Sequence, residues 1–152
     1  MMYKKKRKIT NTIILFTLLL VSIYGCNFRE KKEKNTFYRA INGKDTAILS
    51  LSTYENRFWG QYEIRYGKMG KDSGEVRGEF IGDTLRGVYN YISYGGSLKQ
   101  APIALLKKNN KLLLGKGVVS SLMDMPIYVP EIPIDYDNSE FVFEEIKKFE
   151  KK

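Results

Sequence analysis

The stretch Arg57-Phe58-Trp59-Gly60-Gln61-Tyr62-Glu63-Ile64-Arg65-Tyr66 decides the fold. Phe58, Gly60, Tyr62, Ile64 and Tyr66 fall on one face of an extended chain, and Arg57, Trp59, Gln61, Glu63 and Arg65 on the other. A period of two is the period of a strand, since successive side chains point to opposite faces. Apolar residues on one face and charged ones on the other predict a strand with a buried side and a wet side, as in antiparallel sheets.

The same reading extends outward in both directions. Thr36–Ile41 and Thr46–Thr53 read as strands separated by Asn42-Gly43, a strong hairpin dipeptide, and Glu55-Asn56 turns the chain into Arg57. Gly67–Gly74 (GKMGKDSG) reads as a polar loop. Glu75–Ile81 and Thr84–Tyr94 flank Gly82-Asp83, a two-residue hairpin loop, and Gly95-Gly96 closes the second. Ala101–Lys108 and Lys111–Val119 flank Asn109-Asn110, and Phe141–Ile146 is a last strand. The expectation is an all-β domain: one antiparallel meander of about eight strands, a barrel or a strongly coiled sheet.

Trp59-Gly60-Gln61-Tyr62, Arg77-Gly78-Glu79-Phe80 and Arg86-Gly87-Val88-Tyr89 repeat a pattern of glycine followed two residues later by an aromatic. With Gly82-Asp83 as the loop, Gly78 is expected opposite Gly87 and Phe80 opposite Leu85. Glycine weakens a strand unless the sheet must bend there or something approaches its backbone. Both readings stand: a coiled sheet, or room for a ligand. Asp124–Asn138 (DMPIYVPEIPIDYDN) breaks the pattern, because Pro126, Pro130 and Pro133 exclude a helix or a central strand. Its Ile127, Tyr128, Val129, Ile132 and Ile134 predict an extended segment lying on an apolar surface. It would plug the barrel or protect an edge, or act as a lid or docking strand.

Upstream of the domain, Lys4-Lys5-Lys6-Arg7-Lys8 precedes the apolar run Ile13–Ile23 and then Tyr24-Gly25-Cys26. A basic block, a short apolar run and a small residue before the cut form a secretory signal. The run is about half the roughly 20 residues that a spanning helix needs. Ile23-Tyr24-Gly25-Cys26 resembles the lipobox of bacterial lipoproteins. The resemblance implies cleavage after Gly25 and diacylation of Cys26, the single cysteine. Asn27 follows it, where aspartate is associated with inner-membrane retention, so the outer membrane is the expected address. The expected organisation is a signal peptide over 1–25, a lipidated cysteine and charged tether over 26–35, a β domain over 36–149 and a charged tail over 150–152.

Composition narrows the function. The signal holds five of the 26 Lys/Arg and none of the 17 Asp/Glu, so the mature chain carries +4 and not +9. Such a charge gives no ground for a nucleic-acid partner. There is no histidine, which removes the commonest general base and metal ligand. No Ser-x-x-Lys, P-loop or helix-opening GxGxxG occurs. Asp135-x-Asp137-x-Ser139 begins like a calcium loop, but Glu140 stands where the loop needs glycine and Ile146 where it needs glutamate. Glu63, Glu75, Glu79 and Asp83 read as residues of a wet face and not as a facing catalytic pair. We therefore expect no enzymatic activity, no catalytic or metal-ligating residue and no cofactor.

The layout of lipobox, charged tether and compact meander resembles small bacterial envelope lipoproteins with lipocalin-like or related β-barrel domains. The resemblance implies a membrane partner through the lipid on Cys26, and a small hydrophobic or glycan ligand or an envelope protein as a further partner. If Tyr62, Tyr66, Tyr89 and Tyr91 point inward they are the expected ligand-binding residues, since buried tyrosine hydroxyls need partners. Trp59, Arg65 and Tyr128 are the expected partner-binding residues of the competing reading, an interaction or scaffolding protein.

Overall fold

A computed structural model describes residues 34–147. The expected signal peptide, Gly25, Cys26 and the tail at 150–152 lie outside these residues. The described chain is all strand and turn. It runs through β1 (Lys34–Asn42), β2 (Asp45–Tyr54), β3 (Arg57–Tyr66), β4 (Gly70–Ile81), β5 (Thr84–Ile92), β6 (Leu98–Lys108), β7 (Lys111–Leu114), β8 (Val119–Leu122), β9 (Met125–Tyr128) and β10 (Val142–Ile146). Eight of them close a barrel in the order β1-β10-β7-β6-β5-β4-β3-β2, every neighbouring pair antiparallel. β8 and β9 form a separate hairpin in the excursion between β7 and β10.

The β3 alternation holds as read: Phe58 and Tyr62 are buried while Arg57, Trp59, Gln61 and Arg65 are exposed. Register follows from the same period. Gly78 lies opposite Gly87 and Phe80 opposite Leu85, as the loop at Gly82-Asp83 requires. A Cβ added to Gly78 would lie 2.0 Å from the Arg86 carbonyl oxygen, and one on Gly87 would lie 2.0 Å from that of Arg77. The two backbones therefore close on one another where the sheet coils, and no larger residue fits. Phe58 stands beside Gly78 on β3, with its ring edge-on to Phe80, so aromatics fill what the glycines leave. Phe58, Leu49, Val76, Leu105, Phe141 and Phe143 are the largest fully buried side chains and make the centre of the core.

Five boundaries differ from expectation. β4 begins at Gly70, so only the turn at Gly67–Met69 remains of the expected loop, and Gly74 is inside a strand. β5 ends at Ile92 and β6 starts at Leu98. β1 starts at Lys34, where a tether was expected to run to residue 35. The expected strand Lys111–Val119 stops at Leu114, because Gly115-Lys116-Gly117 carries the returning chain instead. A Cβ on Gly115 would meet Ile134 and Tyr136 at 2.4 and 2.6 Å, and one on Gly117 would meet Tyr128 at 2.7 Å. The proline-rich segment is partly strand: Pro126 sits in β9 opposite Ser121. That is compatible with proline only because this hairpin has two strands, both of them edges.

The consequence is a split wall. β7 pairs with β6 only over Leu105–Lys108, so Leu98–Ala104 have a strand partner on one side alone. β9 packs against that open stretch of β6. The Ala104 carbonyl accepts from Gly115 N–H, so the backbone groups of residue 104, and of residue 102 two positions back, face the open side. Pro102 thus places its missing donor at an edge, the one place in a sheet where it costs no ladder bond.

Candidate tyrosine cleft

The turns at Gly43, at Gly67–Met69 and at Ser93–Ser97 lie at one end of the barrel, with the excursion from β7. The turns at Glu55-Asn56, Gly82-Asp83 and Asn109-Asn110 lie at the other, which also receives Lys34 and releases Ile146. At the first end, inside the split wall, is a cleft of about 210 Å³. Tyr62, Tyr66, Tyr89 and Tyr91 all line it, together with Asp72 and Tyr128. Ala101, Pro102 and Ile103 of β6 and Leu114-Gly115 at the end of β7 complete its wall.

Cross-strand neighbours explain why four large rings fit on one inner face. Tyr62, Gly74 and Tyr91 form one row across β3, β4 and β5. Gly60, Val76, Tyr89 and Ala101 form the next, across β3 to β6. Each of the four tyrosines thus has glycine or alanine as one cross-strand neighbour, Tyr66 having Gly70, the large-and-small alternation that fills a small barrel. Gly74, hidden in the expected loop, is what the sequence reading lacked; a Cβ there would lie 1.9 Å from the Asn90 carbonyl oxygen. Tyr89 stacks on Tyr91 with centroids 4.4 Å apart, and Tyr62 leans on Tyr89 at 4.8 Å and on Phe143 at 5.9 Å.

Polar atoms at the cleft are mostly committed. The Tyr89 hydroxyl donates to the Tyr62 carbonyl at 3.0 Å, and the Tyr128 hydroxyl to the Gly115 carbonyl at 3.2 Å. Asp72 is buried at the rim and accepts from the Tyr66 hydroxyl at 2.9 Å and from Tyr94 N–H at 2.8 Å. It therefore ties the β3–β4 turn to the β5–β6 turn. Tyr62 differs: it is 3 % exposed, and its hydroxyl is buried with no partner. Burial pushes all four phenols above their ordinary range, and nearby negative charge adds to it. For Tyr66 the charge comes from its hydrogen bond to Asp72, and for Tyr89 and Tyr91 from the Asp72 carboxylate; for Tyr62 it comes from Tyr89, once that phenol ionises at alkaline pH, and then from Glu140. All four are neutral at physiological pH.

The three expected partner-binding residues are not brought together. Trp59 and Arg65 share the outer face of β3 but lie six residues apart, about 20 Å along a strand. Arg65 and Lys71 both pair with Glu63, at 2.6 and 2.7 Å. Burial alone would raise the Glu63 carboxyl, but the hydrogen bonds from Lys71 and Arg65 outweigh it and hold it below the usual range. Tyr128 stands with the tyrosines of the cleft, half-buried against Gly117. A depression of about 540 Å³ at the opposite end is lined by Tyr38, Lys107, Lys111, Glu144 and Glu145, a charged surface beside the point where β10 leaves the barrel.

Among the described residues no group of three or more His, Cys, Asp or Glu side chains could hold a metal ion. Asp135 closes a local turn, accepting from Asp137 N–H, Asn138 N–H and the Asn138 side-chain amide. Comparison with known protein families, with curated proteins and with solved structures finds no match to this chain.

Proposed function

We propose that this protein is a lipid-anchored lipoprotein of the bacterial envelope, in the outer membrane, whose lipocalin-like barrel binds a small ligand in the tyrosine cleft without chemical turnover. The observation that carries the reading is the cleft itself, where five tyrosines and Asp72 are brought together around about 210 Å³ at one end of the barrel. The cleft is smaller than the roughly 300 Å³ of a drug-sized site, so it suits a head group or a single ring. Lys34 enters the barrel at the end away from the cleft.

Native mass spectrometry of the full-length protein, expressed in its own host and released from micelles, tests the reading. Retained mass that disappears on denaturation is expected. A bare protein under conditions that preserve the barrel overturns it.

A second reading, docking of an envelope protein, is favoured by a different observation. Ile41, Met69, Tyr94, Leu98 and Met123 are exposed at turns of the cleft end or at the tip of the β8–β9 hairpin, with Met123 at 87 % and Met69 at 84 %. Methionine-rich exposed surfaces are common where partners are bound adaptably. Crosslinking in the intact envelope through residue 69 or 123 tests it, a single reproducible protein adduct being the expected result.

A further inference from the structure

Resting on the ligand-binding reading, we infer that the tyrosine cleft selects a small organic cation, of the quaternary or alkylated ammonium class. Five tyrosines and one carboxylate line the cleft, and no Lys or Arg does. The face of a phenol ring carries negative charge density, and an ammonium group within about 6 Å of a ring centroid is attracted by it, most strongly where water is excluded. The Tyr89–Tyr91 stack is nearly parallel, 9° between planes, so two rings lean against each other at the cleft. Asp72 supplies the countercharge. Its two hydrogen bonds occupy one site on each oxygen, and a carboxylate has about four acceptor sites.

Size and polarity agree. About 210 Å³ is roughly seven water volumes, enough for a trimethylammonium head and a short stem. An anionic ligand would meet Asp72 with no cation lining the cleft. A neutral apolar ligand would leave the Asp72 charge without a counterion. The nearest cation by register is Lys99, cross-strand neighbour of Tyr91; it is exposed and does not line the cleft.

Calorimetric titration of the full-length protein in a maltoside detergent tests this with three probes: choline, tetramethylammonium, and 3,3-dimethylbutan-1-ol, the uncharged isostere of choline. Choline is expected to bind about tenfold more tightly than the isostere, the worth of one desolvated cation–π contact. Tyr91→Leu should remove most of that preference while the melting temperature stays within a few degrees, about 1 kcal/mol of stability. Lys99→Gln should tighten choline binding, because it removes a neighbouring like charge. Displacement of choline by glycerophosphocholine, the soluble head group of phosphatidylcholine, assigns the cation to a lipid head group; choline binding without that displacement assigns it to a free metabolite. Equal binding of choline and its isostere, weaker choline binding in Lys99→Gln, or no binding of either cation overturns the inference. In those cases a retained neutral mass in the native spectrum leaves the ligand-binding reading standing, and a bare protein removes both.

Discussion

The Tyr89 and Tyr91 rings are stacked 4.4 Å apart, although they are alternate residues of one strand. Alternate residues on one face are about 6.7 Å apart along a strand, so the two rings lean toward each other. They do so beside Gly74, which borders Tyr91 across β4 and has no side chain to hold the rings apart. The Tyr89 hydroxyl then reaches the Tyr62 carbonyl, and this bond fixes the ring in place.

The hydroxyls of Tyr89 and Tyr62 should behave oppositely on removal. Tyr89→Phe loses a buried hydrogen bond and leaves the Tyr62 carbonyl with one bond fewer. A loss of about 1 kcal/mol is expected in urea denaturation. Tyr62→Phe removes a buried hydroxyl that has no partner, so an unchanged or slightly raised midpoint is expected in the ligand-free protein. A clear loss in Tyr62→Phe would show that its hydroxyl is bonded in solution.

The facing glycines are predicted to be the least tolerant positions of the sheet. Gly78→Ala or Gly87→Ala puts a methyl about 2.0 Å from a carbonyl oxygen of the next strand. A loss of about 3 kcal/mol or more is expected, at the upper end of overpacking costs. Gly82→Ala meets nothing within 4 Å but must keep φ near +58°, and should lose only about 1–2 kcal/mol. Thermal unfolding of the three variants measures the order.

At the tip of the β8–β9 hairpin, Met123 and Asp124 have φ of 49° and 62°. Two consecutive positive values define a type I′ turn, which favours Asn and Gly. Met123→Asn is therefore expected to raise stability by up to about 1 kcal/mol, read from the same unfolding curves. If the methionine is kept for docking, the same change should also weaken the crosslinked adduct.

Alkaline pH should unfold the protein. Tyr62, Tyr66 and Tyr89 titrate above the ordinary tyrosine value of 10.0 because burial and neighbouring negative charge oppose the phenolate. The folded state holds these protons more tightly than the unfolded chain. Their contribution to stability is complete below pH 10 and is lost as pH rises above it. Absorbance at the tyrosinate band should rise in two stages, exposed rings first and these three with unfolding. A single smooth titration of all tyrosines in the folded protein would contradict it.

Much of the barrel was legible because its determinants are local. Strict alternation marks β3, and the two-residue loop at Gly82-Asp83 sets the register that faces Gly78 with Gly87. β4 was read short because its first turn of sequence, Lys71-Asp72-Ser73-Gly74, has loop composition. Asp72 belongs in a strand only because Tyr66 and Tyr94 N–H, both distant in sequence, satisfy its carboxylate. Gly115 and Gly117 look like strand residues until Ile134, Tyr136 and Tyr128 lie across them.

By itself, the amino-acid order determined the all-β class, the hairpin order and the inner face of β3, since each depends on side-chain period and turn chemistry within a few residues. Only the tertiary structure decided that β7 stops early, that the wall splits beside Pro102, and that Tyr62, Tyr66, Tyr89, Tyr91, Tyr128 and Asp72 meet at one cleft. Closure joins strands far apart in sequence, and where a returning segment packs is set by the space those strands leave. No local pattern encodes that space.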